Sequence, residues 1–362
     1  MTRRKFIGKS AAILATAAAG VVHAPYVIAQ PKIRWRMPTT WPASLDVLQG
    51  AAQRFARLVE EMSGGRLTIE VAPAGQMMPA LGVFDACSQG TVESFMGASY
   101  YWDKKEPATQ WFCTVPFGMN PQGMQAWYFE GEGLKLWEET YAAFGLVPRP
   151  TAPVAPQMAG WFRKKINTVA DFKGLKMRIP GLGGQVVSKL GGSVVLMPGG
   201  EIFAALERGV IDASEWIGPH DDLKLGLQNT ARYYYYPGWH EPGTTLEFTF
   251  NKKAYDALPT DLKRIVDHAA AATWAYTIPE WEVKNAIALE KLKGEYKGKV
   301  EILALPGPIL RDLKKVSAEV VRQEADKSPM AKRVYASFTK FQAQQSAWGQ
   351  ISEGAYQRLI AG

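Results

Sequence analysis

The sequence predicts an α/β protein of two sheet-bearing lobes followed by a long helical segment. Three observations carry that prediction. The chain opens its folded part with a strand–helix–strand pattern between Lys32 and Val71. A proline-rich crossing, Pro148, Pro150, Pro153 and Pro156, separates two runs of such patterns. From Thr260 onward apolar residues recur mostly at helical spacing.

Lys32–Met37 alternates and reads as the first strand, with Thr39-Thr40-Trp41-Pro42 as the loop at its end. Ser44 is the expected N-cap of a helix in which Leu48, Ala51, Ala52, Phe55, Leu58, Val59 and Met62 share one face. Gly64-Gly65 ends it, and Leu67, Ile69 and Val71 alternate as the second strand. This βαβ opening is the signature of a parallel sheet. Pro79–Gln89 reads as helix and Thr91–Ala98 as strand, ending at the aromatic cluster Tyr100-Tyr101-Trp102. Pro121–Phe144 is helical with interruptions at Gly131 and Gly133. The prolines that follow read as an interdomain connection.

The second lobe starts at Gln157–Phe162, a strand, and continues into Asp171–Gly184, DFKGLKMRIPGLGG. There Leu175–Ile179 is a short strand, Pro180-Gly181 stops it, and a helix follows to about Leu190. Arg178 therefore stands at a strand's C-terminal end before a strand-to-helix turn, which is where open α/β sheets bind ligands. Its guanidinium is a fixed fork that matches a carboxylate. Ser193–Met197 and Val210–Trp216 are further strands around the helix Gly200–Arg208. Arg232–Tyr236 is a strand leading into Pro237–Gly243, and Thr244–Asn251 is a strand expected to cross back to the first lobe. Alternation along Tyr233–Tyr236 would bury two tyrosines and expose two. Lys299–Leu305 is a strand within the helical tail.

Composition bounds the function. The chain has 362 residues, 47% hydrophobic and 21% charged, with a net charge of +8. Four of the basic residues, Arg3, Arg4, Lys5 and Lys9, lie in an N-terminal segment without acids, so removing residues 1–29 lowers the charge to +4. That segment has a twin-arginine pattern, a short alanine-rich apolar run and a small-residue cleavage signal at Val27-Ile28-Ala29, so it reads as a signal peptide for export. No basic run in the remainder points to nucleic acid. The two cysteines, Cys87 and Cys113, have no metal-binding spacing, and either a disulfide or two buried thiols is compatible with export. There is no serine elbow and no phosphate loop with a lysine-serine/threonine ending.

Four polar residues at strand ends remain: Gln157, Arg178, Glu215 and Glu241. On one sheet their strands would bring them to one rim. Two acids beside an anionic ligand repel it unless a cation with oxygen ligands, such as Na⁺ or Ca²⁺, stands between them. For either acid alone, a solvated loop residue is the simpler reading. Trp216 is either core or an apolar wall of the site. His240 beside Glu241 allows an acid–base pair, the basis of an alternative reading as an exported enzyme acting on a carboxylate. A ligand sensor is a third.

The phrases DFKGLKMRIPG, GWF at Gly160–Phe162, EWIGP at Glu215–Pro219 and WHEPG at Trp239–Gly243 resemble those of the extracytoplasmic solute receptors of TRAP transporters. WHEPG narrows the likeness to the receptors for 2-oxoacids. The resemblance runs from about Lys32 to the C-terminus. It implies a two-lobed periplasmic binding protein fold with hinge strands, a cleft that holds the ligand, and no enzymatic turnover. It implies ligand contacts from Gln157, Arg178 and Trp216, with Tyr100 or Tyr101 closing from the first lobe. It implies a bridging Na⁺ or Ca²⁺ held by Glu215, the main chain of Trp216, Glu241 and Gln157. The implied ligand is a small 2-oxo or 2-hydroxy monocarboxylate, and the implied partners are the small and large membrane subunits of a permease. The expected organisation is a leader at 1–29, lobes at 30–152 and 153–243, a return segment at 244–280, and a helical brace at 281–362 through which a homodimer can form.

Overall fold

A computed structural model describes residues 32–360. The expected signal peptide lies outside the described residues. The βαβ opening is present: β1 (Ile33–Pro38) pairs in parallel with β2 (Leu67–Ala72) across helix α1 (Asp46–Met62), whose Leu48, Ala51, Phe55 and Val59 are buried. The helix is capped by Leu45 without a side-chain bond, not by Ser44. The Gln49 side chain holds that end instead, donating to the carbonyl of Trp41 at 2.7 Å. After α2 (Val83–Ser88) comes β3 (Ser94–Gly97), and a 3₁₀ turn over Ser99–Trp102 carries Tyr100 and Tyr101. The next helical stretch is split into α3 (Pro121–Phe129) and α4 (Gly133–Ala142), as the glycines require.

Most of the proline-rich crossing is a strand, β4 (Leu146–Val154), with Pro156 beyond its end. It tolerates Pro148 and Pro150 because it is an edge strand, paired only with the strand Thr244–Asn251. Strands β5 (Gly160–Phe162) and β6 (Lys176–Arg178), helix α5 (Gly181–Lys189), β7 (Ser193–Val195), α6 (Gly199–Glu207), β8 (Ala213–Ser214), α7 (Pro219–Lys224) and β9 (Tyr233–Tyr236) build the second lobe. In β9 Tyr234 and Tyr235 are both buried and Tyr236 is exposed. Tyr234 stacks on Trp161 with 4.0 Å between centroids, while Tyr235 packs edge-on against Phe162 at 5.4 Å. Both faces of this strand are therefore covered, which removes the expected alternation.

Strand β10 (Thr244–Asn251) runs back between β3 and β4, antiparallel to both, and all eight of its residues are buried. After α8 (Lys252–Asp256), helix α9 (Thr260–Gly294) packs on α1 and β4 on one side and on α7 on the other. Strand β11 (Glu301–Ala304) completes a six-stranded sheet of order β11-β9-β5-β8-β6-β7. In the tail, α10 (Gly307–Ala325) lies against α5, and α11 (Pro329–Ile351) lies against α3 and α4, before α12 (Glu353–Ile360). The tail thus touches both lobes. Cys87 and Cys113 are buried free thiols.

Candidate functional site

The six-stranded sheet is mixed, and this changes how the expected residues meet. Strands β6 and β8 are parallel neighbours, so Arg178, the last residue of β6, lies beside Glu215, which follows β8 directly. Strand β5 runs antiparallel to β8 and β9. Gln157 therefore reaches the same rim from the N-terminal side of its strand, not from a C-terminal end as a purely parallel sheet would require. Glu241 lies in the turn between β9 and β10. Main-chain bonds zip that turn to Gln157: Gly238 N–H donates to the Gln157 carbonyl at 2.8 Å, and Gln157 N–H donates to the Glu241 carbonyl at 3.1 Å.

Two glycines make the close approaches possible. Gly160 has φ +116°, and a Cβ there would sit 2.6 Å from the Ser214 carbonyl, so only glycine lets β5 enter against β8. A Cβ on Gly199 would fall 2.4 Å from the Trp216 ring. Its absence lets the indole lie over the start of α6.

The site is desolvated. Gln157, Arg178, Glu215, Trp216, His240 and Glu241 are all buried, and Arg178 is only 1% exposed. The Arg178 guanidinium donates from Nη1 to Oε1 of Glu215, and from Nε to the Met197 carbonyl at 3.3 Å. Its Cζ stands 4.9 Å from the centroid of Trp216. Burial works against the charge on Arg178, but Glu215 and the two tyrosines outweigh it and raise its pKa. Gln157 Nε2 donates to Oε2 of Glu241 at 2.7 Å, and the Thr244 hydroxyl donates to the same oxygen at 2.5 Å. Burial, with Glu215 as a second negative group, pushes the Glu241 carboxyl well above its ordinary range.

Tyr100 and Tyr101 come from the first lobe. Burial pushes Tyr100 up, with Glu241 adding to it, and pushes Tyr101 up to about 12 although Arg178 pulls it down. Both phenols are therefore neutral donors. Trp41, Tyr100, Tyr101, Gln157, Trp216 and Thr244 line one closed pocket between the lobes.

What the arrangement can bind follows from polar atoms that are buried and without a hydrogen-bond partner: donors Arg178 Nη2 and Trp216 Nε1, and acceptors Gln157 Oε1 and Glu215 Oε2. Unpartnered buried groups cost roughly 1–3 kcal/mol each, so a cluster of them marks a place completed by a ligand. The free half of the Arg178 fork suits a carboxylate. Glu215 and Glu241 present ligand atoms within 4.8 Å of each other, and His240 shares that group. Carboxylate and amide oxygens at that spacing fit a hard cation such as Na⁺ or Ca²⁺.

The structure brings together all seven residues that sequence reasoning singled out. Two others, Thr244 and Asp222, were not legible, and a third, His240, was placed with the wrong partner. Thr244 was read only as the start of a strand, yet it bonds Glu241. His240 was weighed as the partner of Glu241, but its Nε2 lies 3.5 Å from Glu215. Asp222 fixes the loop that carries Glu215 and Trp216 by accepting from the Ile217 N–H, the Trp161 indole and the Tyr234 hydroxyl at 3.1, 2.9 and 2.7 Å. Those partners lie 5 to 61 residues away, beyond any local pattern.

Residues 38–328 match the family described as bacterial extracellular solute-binding protein, family 7 (DctP). The chain is 41% identical over 331 residues to the monocarboxylate 2-oxoacid-binding periplasmic protein of Nostoc sp., covering 91% of this chain and 90% of that protein. It is similar, at 40% identity and a TM-score of 0.87, to a TRAP periplasmic solute-binding protein of Pseudoalteromonas atlantica solved with bound sodium and pyruvate, covering 90% of this chain and 99% of that one. It is also similar, at 35% identity and a TM-score of 0.88, to a TRAP solute-binding protein of Bordetella bronchiseptica, covering 91% and 97%. The latter was solved as a mixed-occupancy dimer with calcium and picolinate in one active site. The family is one of receptors, not of enzymes, and its fold is the two-lobed one built here around β4 and β10. The chain belongs to the DctP family of periplasmic solute-binding proteins of TRAP transporters.

Proposed function

We propose that the protein captures a small 2-oxo or 2-hydroxy monocarboxylate together with a bridging Na⁺ or Ca²⁺ and delivers it, unchanged, to the small and large membrane subunits of a TRAP permease. The observation that carries this reading is the sorting of the unpartnered buried atoms. Arg178 Nη2 offers the ligand carboxylate the free half of a fork, while the oxygens of Gln157, Glu215 and Glu241 remain for a cation. With both acids ionised, Arg178 supplies one positive charge against two on the protein and one on the ligand. A monovalent cation halves that excess and a divalent one cancels it. The cation then gives the carboxylate and the adjacent 2-oxygen one shared coordination point. The pyruvate with sodium, and the picolinate with calcium, in the two structural relatives support the same pairing of acid and cation.

Trp216 forms the apolar wall and the main-chain contact, and Tyr100 and Tyr101 close the cleft. Lobes at 30–152 and 153–243 are drawn together by the ligand while β4 and β10 serve as the hinge; residues 244–280 return the chain and 281–362 brace it. Closure is the signal the permease reads.

The test is calorimetric titration of pyruvate into chelator-treated protein in sodium-free buffer, with and without added Na⁺ or Ca²⁺. Binding that appears only with the cation, and pyruvate recovered intact on denaturation, is the expected result. Full affinity without any metal returns Glu215 and Glu241 to structural roles, and conversion of the pyruvate would make the protein an enzyme.

A further inference from the structure

One buried side chain at the rim has no task in the scheme above. His240 is 1% exposed, and neither Nδ1 nor Nε2 has a hydrogen-bond partner. Its surroundings are closely packed on two sides. A Cβ on Gly183 would sit 2.9 Å from the Cβ of His240, so the start of α5 closes one side. Trp239 packs edge-on against the ring with 5.4 Å between centroids. The Phe117 N–H, from the first lobe, donates to the Trp239 carbonyl at 2.9 Å and pins the turn. The imidazole is thus held with Nε2 facing Oε2 of Glu215 at 3.5 Å, slightly beyond a formed hydrogen bond.

Glu215 is the residue whose orientation matters most. Its Oε1 is engaged by Arg178, while its Oε2 is the buried acceptor left without a partner. Each carboxylate oxygen has two lone-pair directions, so Oε2 can take a ring N–H and a cation at once. A carboxylate ligand held by a second hydrogen bond keeps the angle a metal needs. Partners of this kind set metal affinity by about 10–100-fold in other sites. Direct ligation by the imidazole is the poorer alternative, because hard cations prefer oxygen to nitrogen.

We propose that His240 is a positioning residue for the cation: a ring N–H directed at Oε2 of Glu215 fixes that carboxylate between Arg178 and the metal, and so sets cation affinity without touching the organic acid. This rests on the reading of the cleft as a cation-assisted carboxylate site.

The experiment uses the chelator-treated full-length mature protein and two variants. His240→Phe keeps a ring but loses the N–H; His240→Gln loses the ring but brings an amide N–H. Calcium is titrated in the presence of pyruvate, and pyruvate at saturating calcium, with a thermal melt of each variant. His240→Phe should bind calcium about 10–100-fold more weakly, with pyruvate affinity at saturating calcium within a few-fold of the parent. His240→Gln should recover most of the loss. A merely packing role gives the reverse order, with Phe close to the parent and Gln impaired, and would overturn the proposal; so would calcium affinity unchanged in both. Where His240→Phe does not fold, His240→Leu serves as the donor-free variant against Gln. Parent protein that binds pyruvate without any cation dependence would overturn the reading of the cleft itself, whatever the variants do.

Discussion

Arg178 serves two masters in one geometry: Nη1 is committed to Glu215, and Nη2 is left for the ligand. Arg178→Ala should therefore weaken pyruvate binding by about 3–5 kcal/mol, since it strands buried negative charge on both Glu215 and the ligand. Arg178→Lys should also bind poorly, because an ammonium cannot keep two parallel bonds in a fixed plane. Calorimetry decides, and near-parental affinity in either variant removes Arg178 from the site. Glu241 carries a second prediction at this scale. Burial and Glu215 raise its pKa well above the ordinary carboxyl value, so without a cation it holds a proton to higher pH than an exposed glutamate does. A cation takes only the ionised form. Binding should thus release a proton, and cation affinity should fall as pH is lowered. Titrations in buffers of different ionisation enthalpy measure that release directly, and an enthalpy independent of buffer at every pH tested would contradict it.

At the scale of elements, the loop from Glu215 to Gly218 is only as firm as its anchor. Asp222 accepts three bonds there, and Asp222→Asn turns at least one accepting oxygen into a donor facing a donor. A loss of about 1–3 kcal/mol in stability is expected, with weaker ligand binding as Trp216 loses its support. Strand β10 carries the other buried acid of this kind. Burial pushes Glu247 up to about 7 against the bonds from Trp102 and Thr249, and burial pushes Asp222 up to about 7 as well. The folded chain then keeps these protons between about pH 4.5 and 7, where the unfolded chain has released them. The folded state binds more protons in that window, so stability falls as pH rises through it and levels off above 7. The melting temperature should be higher at pH 5 than at pH 7.5, and Glu247→Gln should flatten that slope. The elements themselves were largely legible, because periodicity and glycine punctuation are local: β1, α1, β2, β6, α5 and β10 all form near their expected bounds. What was not legible came from pairing. Proline marks a connection at 148–156, and only the edge position of β4 lets that connection also pair into a sheet. Likewise the direction of β5 is a tertiary fact, and with it the route by which Gln157 reaches the rim. The rim residues with strong phrases around them were visible in the sequence; Thr244, Asp222 and the partner of His240 were not, since their signal is proximity alone.

For the whole molecule, the tail is the open ledger of apolar surface. Trp348, Ile351, Tyr356, Leu359 and Ile360 on α11 and α12 are all exposed, Leu359 at 77%. Apolar side chains clustered on two successive helices mark an interaction site, and a second copy of the chain is the expected occupant, as the expected brace at 281–362 allows. Light scattering at micromolar concentration should give twice the chain mass. Leu359→Glu together with Ile351→Glu should give a monomer with unchanged pyruvate affinity; a parental monomer would leave the tail as a brace for its own lobes only.

The depth at which Arg178 and Glu215 are buried has one more consequence, for the fluid in which the protein works. Mobile ions weaken attraction between charges they can surround, most of all beyond a screening distance of about 8–10 Å at ordinary salt, and they do so far less for pairs shut away from water. A receptor that drew its acid in through surface lysines would lose its grip as salinity rose. Here the attracting charge is sealed beneath Trp216, so bulk electrolyte such as choline chloride should leave the dissociation constant almost untouched. Only a cation that fits among the oxygens of the cleft registers, and the protein responds to which ion is present rather than to how much salt there is.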